Sequence, residues 1–156
     1  MSSPKRKQLT QELNKQIRFL TGNSVILSKV IADLAGQHPT DLECLDFLLL
    51  SGPSTAGKLA ELTGLTTGAV TAMIDRLERA GYVKRTRDKQ DRRKVIVAPN
   101  ETKIYAELAP YSMPMGVALE NLSKEFSENE LEVILRFLAE SNLAANREIS
   151  KLRKNN

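Results

Sequence analysis

Six basic side chains stand in the ten positions RTRDKQDRRK, residues 85–94, opposed only by Asp88 and Asp91. Arginine and lysine at that density suit phosphate, the first as a two-pronged donor and the second as a point charge. The run follows AGYVK and leads into VIV, so the densest positive charge of the chain falls between two short apolar stretches. Other candidates for chemistry are few. There is one histidine, His38, and one cysteine, Cys44, with no glycine-rich phosphate loop and no metal-ligand spacing. Catalysis needs positioned nucleophiles, acids or metal ligands. The residue inventory therefore points away from an enzyme and toward binding of a polyanion, with no cofactor or metal implied.

The wider charge pattern agrees. Residues 82–94 carry a net +5 and residues 1–39 a net +4, in a chain of 156 residues whose formal net charge is +4. Two positive regions on an acidic background suit DNA, RNA or an anionic membrane, and charge alone does not choose among them. There is no apolar run long enough to span a bilayer, and the basic start MSSPKRKQLTQ has no apolar core of a secretory signal. A single cysteine excludes an intrachain disulfide. The expected location is the cytoplasm, without a membrane partner.

The elements that must position the basic run can be read from periodicity. Leu9, Leu13, Ile17, Leu20, Ile31 and Leu34 recur near helical spacing over residues 8–35, with Gly22 and Asn23 as a possible bend and GQHP as the stop. TDLE has capping-box form, with Thr40 as the cap and Glu43 reaching back, and starts a helix to about Leu50. After the break SGPST, Ser54 or Thr55 can cap a short helix over residues 56–63 that Gly64 terminates. Val70, Met73, Ile74 and Leu77 then form the buried stripe of a further helix ending at Gly81. Residues 55–80 are thus two helices joined by a short turn, a helix-turn-helix. YVKRTR and KVIVAP read as two strands around the polar turn DKQDR. Asn100 can cap a long helix to about Glu125, which Pro110 and Pro114 should kink or interrupt. SENE at 127–130 is another capping box, opening a last helix to about Arg153.

A helix-turn-helix followed directly by a basic-tipped hairpin is a winged helix. The fold expected is mainly α with a small β-wing: a DNA-binding lobe over residues 40–99, flanked by a dimerisation region over 1–39 and 100–156. A helix fits the major groove, and a narrow hairpin can lay its tip along the neighbouring minor groove, where arginine meets concentrated negative potential. The competing reading is a winged-helix protein–protein module without DNA binding, which has no need of six basic residues at its tip.

At residues 59–97, LAELTGLTTGAVTAMIDRLERAGYVKRTRDKQDRRKVIV, the chain resembles the MarR family of bacterial transcriptional regulators. The resemblance lies in the helix-turn-helix, the DRL…GYV passage into the wing and the Asp-x-Arg wing motif, here Asp91, Arg92 and Arg93. Two departures are visible: APN stands where many members open the next helix with Leu-Thr, and Lys103 stands where glycine is common. The resemblance implies a dimeric repressor released by a small molecule. It implies that the recognition helix presents Thr66, Thr67, Gly68, Ala69, Thr71, Ala72 and Arg76 to the major groove. Arg93 is then the minor-groove residue and Asp91 its support, while Arg85, Arg87, Lys89 and Arg92 add charge. Thr55 and Lys58 approach the DNA backbone.

The residues qualify that picture. The leading part of the recognition helix is small, so it can sit deep and touch thymine methyls. Only Arg76 and Arg79 could grip guanine, and a salt bridge to a nearby acid is an equal alternative for Arg76. Asp75 and Glu78 should push phosphate away, so the far end should tilt off the duplex and DNA shape should carry much of the specificity.

One such module covers few base pairs, which favours a dimer on a palindromic operator of double-stranded DNA. Leu131, Leu138, Ala145 and Leu152 repeat every seven residues, and Leu135 and Ile149 fill a second row. That is a seam for another helix, of this chain or of a second copy. Cys44, in LECLDFLLL without a basic neighbour, reads as a buried structural thiol rather than a redox sensor. His38 reads as a helix-end residue, and Met113 and Met115 as fillers of a proline kink. A pocket for a small-molecule effector at His38, Met113 and Met115 is the alternative, and family members that bind aromatic acids would favour it.

Overall fold

The computed structural model describes residues 3–88 and 91–154. Its contacts divide the chain into two units, one up to Ser112 and one from Met113. In the first unit, helix α1 (Pro4–Ala35) runs through Gly22 and Asn23 without a break and ends at Gly36, whose φ of 63° is the left-handed cap that glycine tolerates. Helix α2 (Pro39–Ser51) starts two residues earlier than expected. Its cap is His38, not Thr40: Nδ1 of His38 accepts from the Thr40 N–H at 3.3 Å. Pro39 is the reason. A ring that fixes φ and lacks an N–H fits the first helical position, so the cap must precede it.

Strand β1 (Ser54–Thr55) leads into α3 (Ala56–Thr63), capped by Thr55, and α4 (Thr67–Arg79), capped by Thr66. Strands β2 (Val83–Arg87) and β3 (Val95–Pro99) form the wing. The sheet has the order β1-β3-β2, all antiparallel, with Thr55 opposite Ile96 and Arg87 opposite Val95. The third strand is an addition to the two expected. Two residues carry no readable alternation, and SGPST reads only as a break.

The core of this unit is aliphatic. Leu45, Leu48, Leu59, Val70, Met73, Ile74, Leu77 and Val97 are almost wholly buried, and a leucine or isoleucine so placed contributes roughly 1.5–3 kcal/mol by burial alone. All four stripe residues of α4 lie in it. Cys44 is fully buried there. Burial, and after it the nearby Asp41, pushes its thiol up to about 12, so it stays protonated and unreactive.

Helix α5 (Glu101–Ser123) passes through Pro110 and Pro114, so of the expected kink or interruption the interruption does not occur. The carbonyls that the two rings leave without a donor are those of Ala106 and Pro110. Both residues are exposed, so water can satisfy them. In the second unit α6 (Glu128–Lys154) opens on the expected capping box: the Ser127 N–H donates to Glu130 at 2.8 Å, and the Glu130 N–H to Ser127 Oγ at 3.4 Å. Among the described residues none of α6 is buried, although Leu135, Phe137, Leu138, Ile149 and Leu152 lie on it. No helix among the described residues is long and apolar enough to cross a membrane.

Candidate nucleic-acid interface

Burying Val70, Met73, Ile74 and Leu77 turns the opposite face of α4 outward. Thr67, Gly68, Ala69, Thr71, Ala72, Asp75, Arg76 and Arg79 are all exposed on it. The helix start is fixed by its cap, since Thr66 Oγ1 accepts from the Ala69 N–H at 3.3 Å. Its end closes as a Schellman turn: Gly81 takes φ of 79°, and the Tyr82 N–H reaches the Leu77 carbonyl at 2.9 Å. On α3, Thr55 Oγ1 accepts from the Lys58 N–H at 3.2 Å, and the Lys58 ammonium pairs with Glu61 at 2.9 Å.

Two arginines at the base of the lobe are turned inward. Arg76 grips Asp41 of α2 with both prongs, Nε to Oδ2 at 3.0 Å and Nη2 to Oδ1 at 2.5 Å. The Asp41 side chain is 4% exposed and that of Arg76 43%. The hydrogen bond to Asp41 raises the Arg76 pKa further. The salt-bridge alternative for Arg76 is therefore the arrangement found, and its partner was not legible: Asp41 lies 35 positions away, inside what reads as a capping box. Arg85 of β2 in turn pairs with Asp75 at 2.5 Å and, through its other prong, with Glu78. Its backbone N–H also donates to Glu78 at 2.8 Å and, with the guanidinium, holds that carboxyl below the usual carboxylate range. Thus the two acids expected to repel phosphate share one cation, Arg85, which reduces their field at the surface without cancelling it.

The wing tip is built differently. Asp91 takes its place through its own N–H, which donates to Asp88 at 2.8 Å. Its carboxylate then receives the Arg93 N–H at 3.1 Å and the Arg93 guanidinium at 3.1 and 3.4 Å. Arg93 stays 92% exposed while so held, against 31% for Asp91. The charged head is aimed rather than buried. Arg87 donates to the Arg92 carbonyl at 3.2 Å and bends back over the loop, and Arg92 is itself exposed. Lys89, expected at the turn, lies outside the described residues.

A clamp that sequence reasoning missed ties the wing base to α5. The Asn100 amide donates to the Gly81 carbonyl at 3.0 Å and the Tyr82 hydroxyl to Glu107 at 2.7 Å. Lys103 reaches Glu107 at 2.5 Å and lies 5.2 Å from the centre of the Tyr82 ring. Lys103, seen only as a departure, is a member of this clamp, and Asn100 does cap α5, accepting from the Lys103 N–H at 3.3 Å.

The three residues of the alternative effector pocket fall in different units. His38 caps α2, and Met113 and Met115 are exposed residues of the second unit. The first unit holds a cavity of about 100 Å³, open on one side. Ile31 of α1, Leu42, Leu45 and Leu49 of α2, and Ile104 and Leu108 of α5 line it. Among the described residues no group of three or more acidic, histidine or cysteine side chains could hold a metal ion.

The MarR family model matches residues 38–95, the stretch from the α2 cap to the start of β3. An uncharacterized HTH-type transcriptional regulator of Bacillus subtilis (strain 168), YcgE, is 36% identical over 149 residues, covering 96% of each chain. A MarR family protein from Bacillus stearothermophilus superposes with a TM-score of 0.66 at 26% identity, over 89% of this chain and 96% of that one. The NadR complex with 4-hydroxyphenylacetate has the same fold, with a TM-score of 0.62 at 18% identity over 82% and 90% of the two chains.

Proposed function

The chain belongs to the MarR family of transcriptional regulators, which are not enzymes, and from that premise we propose that it is a homodimeric, sequence-specific repressor that binds a palindromic operator and is released by a small molecule. The observation that carries the DNA-binding reading is the wing tip: a guanidinium held by Asp91 yet 92% exposed, beside a helix face of small residues. A protein–protein module would have no use for a charge so fixed and so solvated. In this reading residues 40–99 are the DNA-binding lobe. Thr66 to Ala72 enter the major groove, Arg93 the minor groove, and Thr55 and Lys58 approach the backbone. Arg76 and Arg85, committed to acids, orient the recognition helix instead of reading bases.

The flanking residues 1–39 and 100–156 are the dimerisation region. The row of half-buried Leu131 and exposed Leu135, Leu138, Ala145, Ile149 and Leu152 on α6 is its seam, since a lone helix does not hold so much apolar surface in water without a partner. An effector would enter the cavity between α1, α2 and α5; NadR, a protein of the same fold, forms a complex with 4-hydroxyphenylacetate.

Selection of duplexes from a random pool, followed by binding against salt concentration, tests the reading. A retained duplex with two related half-sites and a steep salt slope is expected. Retention of no duplex at low salt would leave the protein–protein module. Sedimentation should give a dimer for the full chain and a monomer after truncation at about residue 126. A truncated dimer would take the seam away from α6.

A further inference from the structure

The charge of the cavity wall is one-sided. Among its eleven lining residues one is ionisable at neutral pH, Asp46 of α2, and no lysine, arginine or histidine joins it. The other polar groups are the hydroxyls of Ser28, Tyr105 and Ser112. Ser112 already donates to the Leu108 carbonyl at 3.4 Å, so what it offers a ligand is an acceptor. The rest of the wall is aliphatic. Resting on the effector reading above, we infer that this cavity takes a small organic cation, an amine with a compact apolar body, whose ammonium is received by Asp46.

Three features of the wall support this. Asp46 lines the cavity and is exposed, so it stands at the open side, where a cationic head would arrive. Apolar surroundings and the nearby Glu43 raise its carboxyl pKa, which means that its charged form lacks compensation there. Among the described residues Asp46 has no salt-bridge partner of its own. The space is small: an apolar cavity of about 150 Å³ is known to hold benzene, and this one measures about 100 Å³. It accommodates a short or five-membered body, with any longer portion leaving by the open side. An anion is disfavoured for the converse reason. The carboxylate of 4-hydroxyphenylacetate would meet Asp46 and no cation, and like charges at close range cost free energy.

The test uses the full-length dimer and three probes of one shape and different charge: cyclopentylammonium, cyclopentanol and cyclopentanecarboxylate. Calorimetric titration should rank them in that order. Asp46→Asn should weaken the ammonium about tenfold or more, the usual worth of a charged hydrogen bond, and leave the alcohol within about twofold. Leu49→Phe, which fills the cavity, should abolish binding of both. Tightest binding of the carboxylate, equal binding of the ammonium to the Asp46→Asn chain, or binding of no probe overturns the inference. The same probes are then added to the operator complex. An ammonium that binds without changing DNA affinity sinks the effector reading and keeps the cation site. A carboxylate that binds and releases DNA does the reverse.

Discussion

Arg76 and Arg93 lie 17 positions apart, and each is bound through its guanidinium to an aspartate, yet the two pairs do opposite things. In the lobe base the acid is the buried partner, fixed on α2, and Arg76 is pulled in to satisfy it. At the wing tip the acid is a loop residue held by its own neighbour, and Arg93 is left 92% exposed. In the first pair the carboxylate would be costly to strand, so the bridge is a strut. In the second almost no desolvation is at stake, so the bridge limits where a solvated charge can point. A surface ion pair of the second kind adds little stability, and its value lies in a partner met later.

The largest effect that would sharpen this contrast is on DNA. Arg93→Ala should weaken operator binding by roughly 1–3 kcal/mol per half-site, more where the minor groove is narrow, with the unfolding midpoint unchanged. Titrations on A-tract and G·C-rich versions of one operator check it. Equal losses on both would reduce Arg93 to a phosphate contact.

The base pair should answer in the opposite register. Arg76→Ala leaves the Asp41 carboxylate buried without its cation, and should cost about 2–3 kcal/mol in urea unfolding. Asp41→Ala leaves an arginine that is already partly in water, and should cost about 1 kcal/mol. If the order of the two is reversed, the strut reading of Asp41 fails.

Periodicity together with caps and stop signals located all six helices of the described residues and both wing strands, because a helix's ends and its apolar face leave local marks in the residue order. The Asp91–Arg93 pair was expected from the resemblance to the family's wing motif, and the contact spans only two positions. What the residue order could not supply were partners distant in sequence. Asp41 reads as part of a cap, and Lys103 only as a departure from the family pattern. Only the approach of α2 to α4, and of α5 to the Schellman turn at Gly81, gives those residues their roles. The cap at His38 was legible and was passed over: Pro39 in the first helical position already requires it. The cavity of the first unit was not legible, because it lies among aliphatic residues whose helical spacing looks like any core.

A smaller effect probes how Asp91 works. Asp91→Ala frees the Arg93 side chain without removing it, so the loss on DNA should be the cost of ordering one long side chain, about 0.5–1.5 kcal/mol per half-site. In the Arg93→Ala background the same change should add almost nothing. A full additional loss in the double variant, read by anisotropy, would give Asp91 a separate role in shaping the wing.

The smallest effect concerns Arg85, which belongs with Arg76 if the base is structural. Glu78 is held low first by the backbone N–H of Arg85 and second by its guanidinium. A carboxyl with a depressed folded pKa contributes stability above its unfolded pKa, and that contribution is lost as pH falls through the folded value. Arg85→Ala removes the guanidinium and keeps the N–H. The Glu78 carboxyl should therefore rise only part of the way to the usual carboxylate range, and the acid limb of the stability profile should become shallower without vanishing. Carboxyl carbon shifts followed by NMR against pH read this directly. A Glu78 that titrates like a free glutamate in the variant would mean that the guanidinium carries the whole effect. A Glu78 that does not move would mean that the strand alone holds it. Either result would separate Arg85 from Arg76, and only the intermediate one makes both arginines fasteners of the recognition helix.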